Sequence, residues 1–249
     1  SAAEATAIVE EVSVPDSEIQ VVDETQLDVE AEDKDEKPSY NGHAIKDIKY
    51  SQDGTEHTFK YSEGCFETDP NKYDPHLATM SSSLAHASDT YTFDNEETKK
   101  KDYSKGAQRV VDILNQAGFE EKDIYVSDSY RVKPTTDSVA CVIASKDIKT
   151  EEGDKKLISI TVRSSSYEAE WASNVTLGTE GEAAGFANAA NQVIGYFNDF
   201  NSDGKFDEAL ASGDVIFWVH GYSRGGATAN LTSKRLIDAY QADGNEVYG

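Results

Sequence analysis

One stretch constrains this chain more than any other. Five apolar residues, Val215-Ile216-Phe217-Trp218-Val219, run directly into His220-Gly221-Tyr222-Ser223-Arg224-Gly225-Gly226. The run has the length and the β-branched and aromatic content of a strand buried on both faces. A helical pattern over 224 to 241 follows, opening with the small residues Ala227 and Ala229. Strand, G-x-S-x-G, helix is a demanding succession. The serine sits on a sharp, strained turn, and the positions two residues to either side leave no room for a Cβ. Gly221 and Gly225 meet that need. Such a turn projects the Ser223 hydroxyl above the sheet, and the first amides and dipole of the helix face the place where an oxyanion would form. G-x-S-x-G alone arises by chance in roughly one in ten chains of this length. The flanking strand and small-residue helix are what favour a nucleophile over an ordinary glycine turn.

The rest of the chain supplies elements to either side. Helical spacing is read over 77–85 and over 104–117, the latter closing on Gly118, which suits a C′ position. It returns over 183–198, with Phe186, Ala190, Val193, Ile194 and Phe197 on one face. Strand-like runs cover 124–126, 139–144 and 157–162. After the turn signal Asp243-Gly244-Asn245, Glu246-Val247-Tyr248 begins another strand. Strands alternating with helices predict an α/β fold with a mostly parallel sheet. Residues 1–38 differ from this. They are rich in Asp and Glu, hold two lysines and no aromatic residue, and are expected to be an acidic tail or linker with too little apolar surface to offset its ordering entropy. Residues 39–249 are expected to be globular.

The net charge of −24 and pI near 4.4 repel phosphate backbones and exclude nucleic acid as a natural partner. No stretch reaches the roughly 18 to 20 apolar residues of a membrane span. The first residue is Ser1 and the charge is extreme, so a secreted or extracellular location is expected. Cys141, inside Val139 to Ala144, reads as a core hydrophobe. Cys65 reads as a loop residue, and two cysteines make neither a disulfide framework nor a zinc site.

A second motif lies just upstream of the apolar strand. Asp199-Phe200-Asn201-Ser202-Asp203-Gly204-Lys205-Phe206-Asp207 reads D-x-N-x-D-G-x-x-D, the first nine positions of a calcium loop. Oxygens of Asp199, Asn201 and Asp203, the Lys205 carbonyl and Asp207 would be the ligands of a structural Ca2+. Leu210 stands where a bidentate Glu is expected, so a solvated Asp/Asn/Gly loop is the competing reading.

At the level of families, "HGYSRGGATANL" (His220 to Leu231) resembles the elbow of class 3 (fungal-type) lipases, in particular a bacterial lipase-like branch. Tyr222 stands where that family usually has His. "ITVRSSSYEAEWASN" (Ile160 to Asn174) is similar to the family's strand that ends in R-G-[ST] and is followed by a Trp. "GFANAANQV" (Gly185 to Val193) and "YDPHLATMSSSLAHAS" (Tyr73 to Ser88) are similar to two of its helices. The resemblance covers about residues 60–249. It implies an α/β-hydrolase fold, of which this chain holds only the N-terminal part, and cleavage of carboxylic esters by a Ser-Asp/Glu-His triad. It implies Ser223 as nucleophile and the backbone N–H groups of Arg224 and Ser165 as the oxyanion hole. Ser164 departs from the family's Gly.

In such hydrolases the acid and the His follow the serine along the chain. After Ser223 come Asp238 and Asp243 but no His. His43, His57, His76, His86 and His220 all lie upstream, and none is expected to serve. The triad Asp and His are therefore expected from a C-terminal chain or segment outside this sequence, and the strand at 246–249 is expected to leave an open edge. The alternative is a non-catalytic, calcium-dependent binding or surface protein on a hydrolase scaffold.

Overall fold

A computed structural model describes residues 37–89, 104–132, 135, 137–164 and 184–249. Two tight hairpins come first. β1 (Ser39–Tyr40) and β2 (His43–Ala44) close on Asn41-Gly42, and β3 (Lys46–Gln52) and β4 (Thr55–Tyr61) close on Asp53-Gly54. All four turn residues have positive φ, between 46° and 77°. That is the geometry Asn-Gly and Asp-Gly turns favour because it matches strand twist. Along β3 and β4, Ile48, Tyr50, Phe59 and Tyr61 point inward with the period of two that a half-buried sheet requires.

Helix α1 (Pro75–Ala87) starts on Asp74, whose carboxylate accepts hydrogen bonds from the amides of His76 and Leu77, with Pro75 in the first turn. α2 (Lys105–Gln116) ends at Ala117 and Gly118, and Gly118 has φ +93°, as its predicted capping role requires. The main sheet has five strands in the order β5 (Ile124–Val126), β6 (Cys141–Thr150), β7 (Gly153–Val162), β8 (Val215–Gly221), β9 (Glu246–Tyr248). α3 (Ala184–Phe200) and α4 (Asp207–Ser212) precede β8, and α5 (Arg224–Tyr240) follows it.

The sheet is mixed rather than mostly parallel. β7–β8 and β8–β9 are parallel, but β5–β6 and β6–β7 are antiparallel. The cause lies in the polar residues between the apolar runs of β6 and β7. They extend both strands until Thr150 pairs with Gly153, and so short a turn can join only antiparallel neighbours. The runs are largely apolar because helices cover both faces of the sheet, not because their direction is parallel.

Each strand sends alternate side chains to two cores. Ile216 and Trp218 of β8 join Met80, Leu84, Val110 and Leu114 under α1, α2 and the β3–β4 hairpin. Val215, Phe217 and Val219 join Val193, Phe197 and Leu236 under α3, α4 and α5. Trp218 also donates its indole N–H to Ser81 Oγ at 2.8 Å, tying β8 to α1. Cys65 and Cys141 are both buried free thiols. Burial pushes the Cys65 thiol up to about 12 and raises Cys141 too. Cys65 thus lies in a buried 3-10 turn rather than in an exposed loop. Lys37–Gly249 forms one compact unit.

Candidate active site

β8 ends at Gly221 and α5 begins at Arg224, leaving two residues to make the turn. Ser223 carries that turn with φ 54° and ψ −123°. A non-glycine residue held in so sparsely populated a region stores roughly 1–3 kcal/mol. The surroundings enforce it. A Cβ on Gly221 would stand 2.4 Å from the Gly225 carbonyl oxygen, and one on Gly225 would stand 2.6 Å from that of Val162 and 2.8 Å from that of Arg163. Backbone meets backbone at both points, so neither position accepts a side chain without moving the main chain. Ser223 and Tyr222 are exposed, and the Ser223 carbonyl accepts the first bond of α5, from Ala227 N at 3.1 Å.

The Arg224 amide belongs to the first turn of α5, where helix amides have no acceptor within the helix and the dipole is positive. Its side chain turns inward and donates to the Ser138 carbonyl at 3.3 Å. The same turn rests on the end of β7, which leads toward Ser165. There the Arg163 guanidinium lies 5.1 Å over the Tyr130 ring and the Arg163 amide donates to the Ala140 carbonyl at 2.9 Å. Ser164 is buried and donates its hydroxyl to the Asp89 carboxylate. Ser165, expected as the second oxyanion donor, and Trp171 lie outside the described residues.

Each of the five histidines is engaged elsewhere. His43 meets Glu67 at 2.8 Å. His76 packs against the Tyr40 ring. His86 Nδ1 is 3.0 Å from the Tyr50 hydroxyl, and the His57 ring packs against both Tyr50 and His86. His220, nearest to Ser223 in sequence, is buried with Nε2 2.7 Å from Thr161 Oγ1 and its ring against Trp218. Burial lowers its pKa to about 3, so the ring is neutral. Lys146 does not substitute. Burial lowers its pKa while its ammonium pairs with Glu63. It sits opposite Leu157, five residues down β7 from Val162, or ~16 Å at the rise of a strand.

The acidic loop carries hydrogen bonds within itself. The Asn201 amide oxygen accepts from Phe206 N at 2.8 Å and its NH2 donates to Asp207 at 2.9 Å, while Asp203 accepts from Lys205 N at 3.2 Å. The Lys205 ammonium lies 3.4 Å over the Phe200 ring. Among the described residues no group of three or more His, Cys, Asp or Glu is placed to hold a metal ion. Asp199 lies in the last turn of α3 and Asp207 opens α4, with Asn201, Asp203 and Lys205 in the link between them, and the bonds of Asn201 and Asp203 stay within that link and the start of α4.

Sequence reasoning passed over Thr161 and Asp89. Thr161 had a signal: Ser159 and Thr161 alternate with Ile158, Ile160 and Val162, a period of two marking a strand face with polar business. Asp89 had none, since its role depends on α1 ending beside β7.

No family model and no curated protein matches the chain. Among solved structures it is similar to a triacylglycerol lipase described as having a serine-protease triad as its catalytic centre, at 16% identity and a TM-score of 0.37, over 70% of this chain and 59% of that one. The chain thus spans less than two thirds of that lipase. Among the described residues no helix is long and apolar enough to cross a membrane.

Proposed function

We propose that this chain carries the nucleophile of a lipase-like serine hydrolase that cleaves carboxylic esters, lipid esters among them. The strained turn at Ser223, locked between two glycines that admit no side chain, carries the reading. Proteins keep such strain where the surrounding structure over-determines it, and an exposed hydroxyl at a helix N-terminus is a chemically useful place to spend it. In this reading Ser223 Oγ attacks the ester carbonyl carbon and loses its proton to a general base. The Arg224 amide, with that of Ser165, holds the oxyanion. The alcohol leaves with the proton, and water then releases the acyl group from Ser223. In this reading the general base and its orienting carboxylate are those expected from a C-terminal chain or segment, since the five histidines are engaged elsewhere.

A fluorophosphonate probe tests the reading. The natural protein should label on Ser223, and Ser223→Ala should abolish labelling without loss of fold. A folded natural protein that never labels would leave the alternative, a binding protein on a hydrolase scaffold.

A further inference from the structure

The two edges of the β3–β4 hairpin are treated differently. Asp53-Gly54 is a two-residue turn, so Gln52 and Thr55 face each other as a pair that exchanges backbone bonds. Counting from that pair, Asp47, Lys49 and Ser51 turn their N–H and C=O groups outward from β3. Glu56, Thr58 and Lys60 turn theirs outward from β4. The β3 edge is stoppered. The Gln116 side chain of α2 accepts from the Lys49 amide at 3.0 Å and donates to the Lys49 carbonyl at 2.8 Å, as a neighbouring strand would. The β4 edge is open. Among the described residues no strand pairs with its outer side, and the side chains of Glu56, Thr58 and Lys60 are exposed.

We infer that this edge pairs with the same edge of a second copy of the chain, antiparallel, with Thr58 opposite Thr58. An open edge is a template for another strand, and the residues along this one select the partner. Glu56 and Lys60 lie at equal distances on either side of Thr58. A two-fold axis at Thr58 therefore sets Glu56 of each copy opposite Lys60 of the other, at both ends of the contact. Thr58 faces Thr58, a favourable cross-strand pair, and on the inner side His57 comes opposite Phe59. The outward-turned groups of Glu56, Thr58 and Lys60 are then the ones that exchange backbone bonds across the axis. The contact also extends ion pairs already in place. Within one chain Lys60 meets Asp47, and Glu56 meets Lys49 at 3.1 Å. Across the joined sheet the row reads Asp47, Lys60, Glu56, Lys49, with the sign alternating at every step. A foreign peptide would not need a pattern centred on Thr58. The net charge of −24 does not oppose the approach at this place, because Lys46, Lys49 and Lys60 balance Asp47, Asp53 and Glu56 within the hairpin. Exposed charges more than ~8 Å away are largely screened at physiological salt. The contact is small, so the pairing is weak and governed by concentration. It stands apart from the hydrolase reading.

The test uses the full-length protein, with sedimentation equilibrium from micromolar to millimolar concentration and hydrogen exchange of the β4 amides. The natural protein should be dimeric at millimolar concentration, where the Glu56, Thr58 and Lys60 amides should exchange ~10-fold more slowly than at micromolar, by mass action. Glu56→Lys alone and Lys60→Glu alone should each be monomeric, since like charges then stand opposite at both ends. Mixed in equal amounts, these two variants should pair with each other, because each supplies the charge the other lacks. Thr58→Pro, which removes an amide aimed outward, should stay folded and be monomeric. A natural protein that is monomeric at millimolar concentration overturns the proposal. So does a dimer that survives all three variants, which would lie on another surface. A mixture that stays monomeric overturns it too, because the loss would then trace to the internal pairs with Lys49 and Asp47. Amides of β4 protected equally at every concentration would show that the protein covers this edge itself, and the proposal would fall.

Discussion

Two glycine-containing turns flank the centre of this fold, and both match a functional motif. The turn from Gly221 to Gly225 takes the geometry its motif demands. In the loop from Asp199 to Asp207, Asn201 donates to the Asp207 carboxylate and accepts from the Phe206 amide. The difference lies in what each motif requires. The elbow needs an absence, two missing Cβ atoms where backbone meets backbone, and glycine supplies that in any surroundings. The acidic loop needs several oxygens to converge on one point, which depends on every side chain resisting a nearer partner.

The largest expected effect breaks the comparison at its glycines. Gly225→Ala should cost about 3 kcal/mol or more, because the added carbon meets two carbonyl oxygens that cannot step aside. Gly204→Ala should cost only about 1 kcal/mol. Gly204 also has positive φ, 74°, but its near neighbour is the Asp207 side chain, which can swing away. Urea melts of the two variants check this, and equal costs would show the elbow to be no tighter than the loop.

His220 gives the next effect and sharpens what lies under the elbow. Its folded pKa, about 3, is below the 6.5 of an unperturbed histidine because burial disfavours the charged ring. As pH falls below 6.5 the unfolded chain takes up a proton that the folded chain refuses. The contribution is full above pH 6.5 and is lost steadily toward pH 3, at up to about 1.4 kcal/mol per unit. His220→Gln should lose less stability over this range than the natural chain, with the carboxylates acting equally on both. Parallel curves would mean that the ring is charged or hydrated in the folded state.

These contrasts show how far the residues alone could be read. The helices at 77–85, 104–117 and 183–198 and the strand at 215–219 were legible because their apolar periods agree with local caps such as Gly118. The β3–β4 hairpin was legible in principle through Asp53-Gly54 and the alternation of Ile48 and Tyr50, yet its polar content masked it. Sheet direction was not legible from Val139–Ala144 and Leu157–Val162. Burial on both faces makes a strand apolar whichever way its neighbour runs, and only the short link between the runs distinguishes the cases. At the site, Gly221, Ser223 and Gly225 were legible, while the bonds of Thr161 to His220 and of Asp89 to Ser164 arise from elements far apart in the chain.

Replacing Ser223 separates strain from chemistry at the elbow. Ser223→Gly should raise stability by about 1 kcal/mol, since glycine adopts φ 54° without a Cβ penalty and part of the gain offsets its extra freedom when unfolded. Ser223→Ala keeps the Cβ and should leave stability unchanged. Both should abolish fluorophosphonate labelling. A glycine variant less stable than the alanine variant would show that the turn is not strained.

Calcium gives the smallest expected effect and tests the other half of the comparison. A structural site with a dissociation constant 100-fold below the calcium added would raise stability by about 2.7 kcal/mol. That gain must exceed the cost of breaking the Asn201–Phe206 and Asn201–Asp207 bonds and of drawing Asp199, Asp203 and Asp207 together within a chain of net charge −24. The expected outcome is no change in the melting midpoint on adding millimolar calcium, in the natural chain and in Asp203→Asn alike. A rise in the natural chain that Asp203→Asn removes would show that the loop can trade its internal bonds for a cation, and the two motifs would then differ in timing rather than in kind.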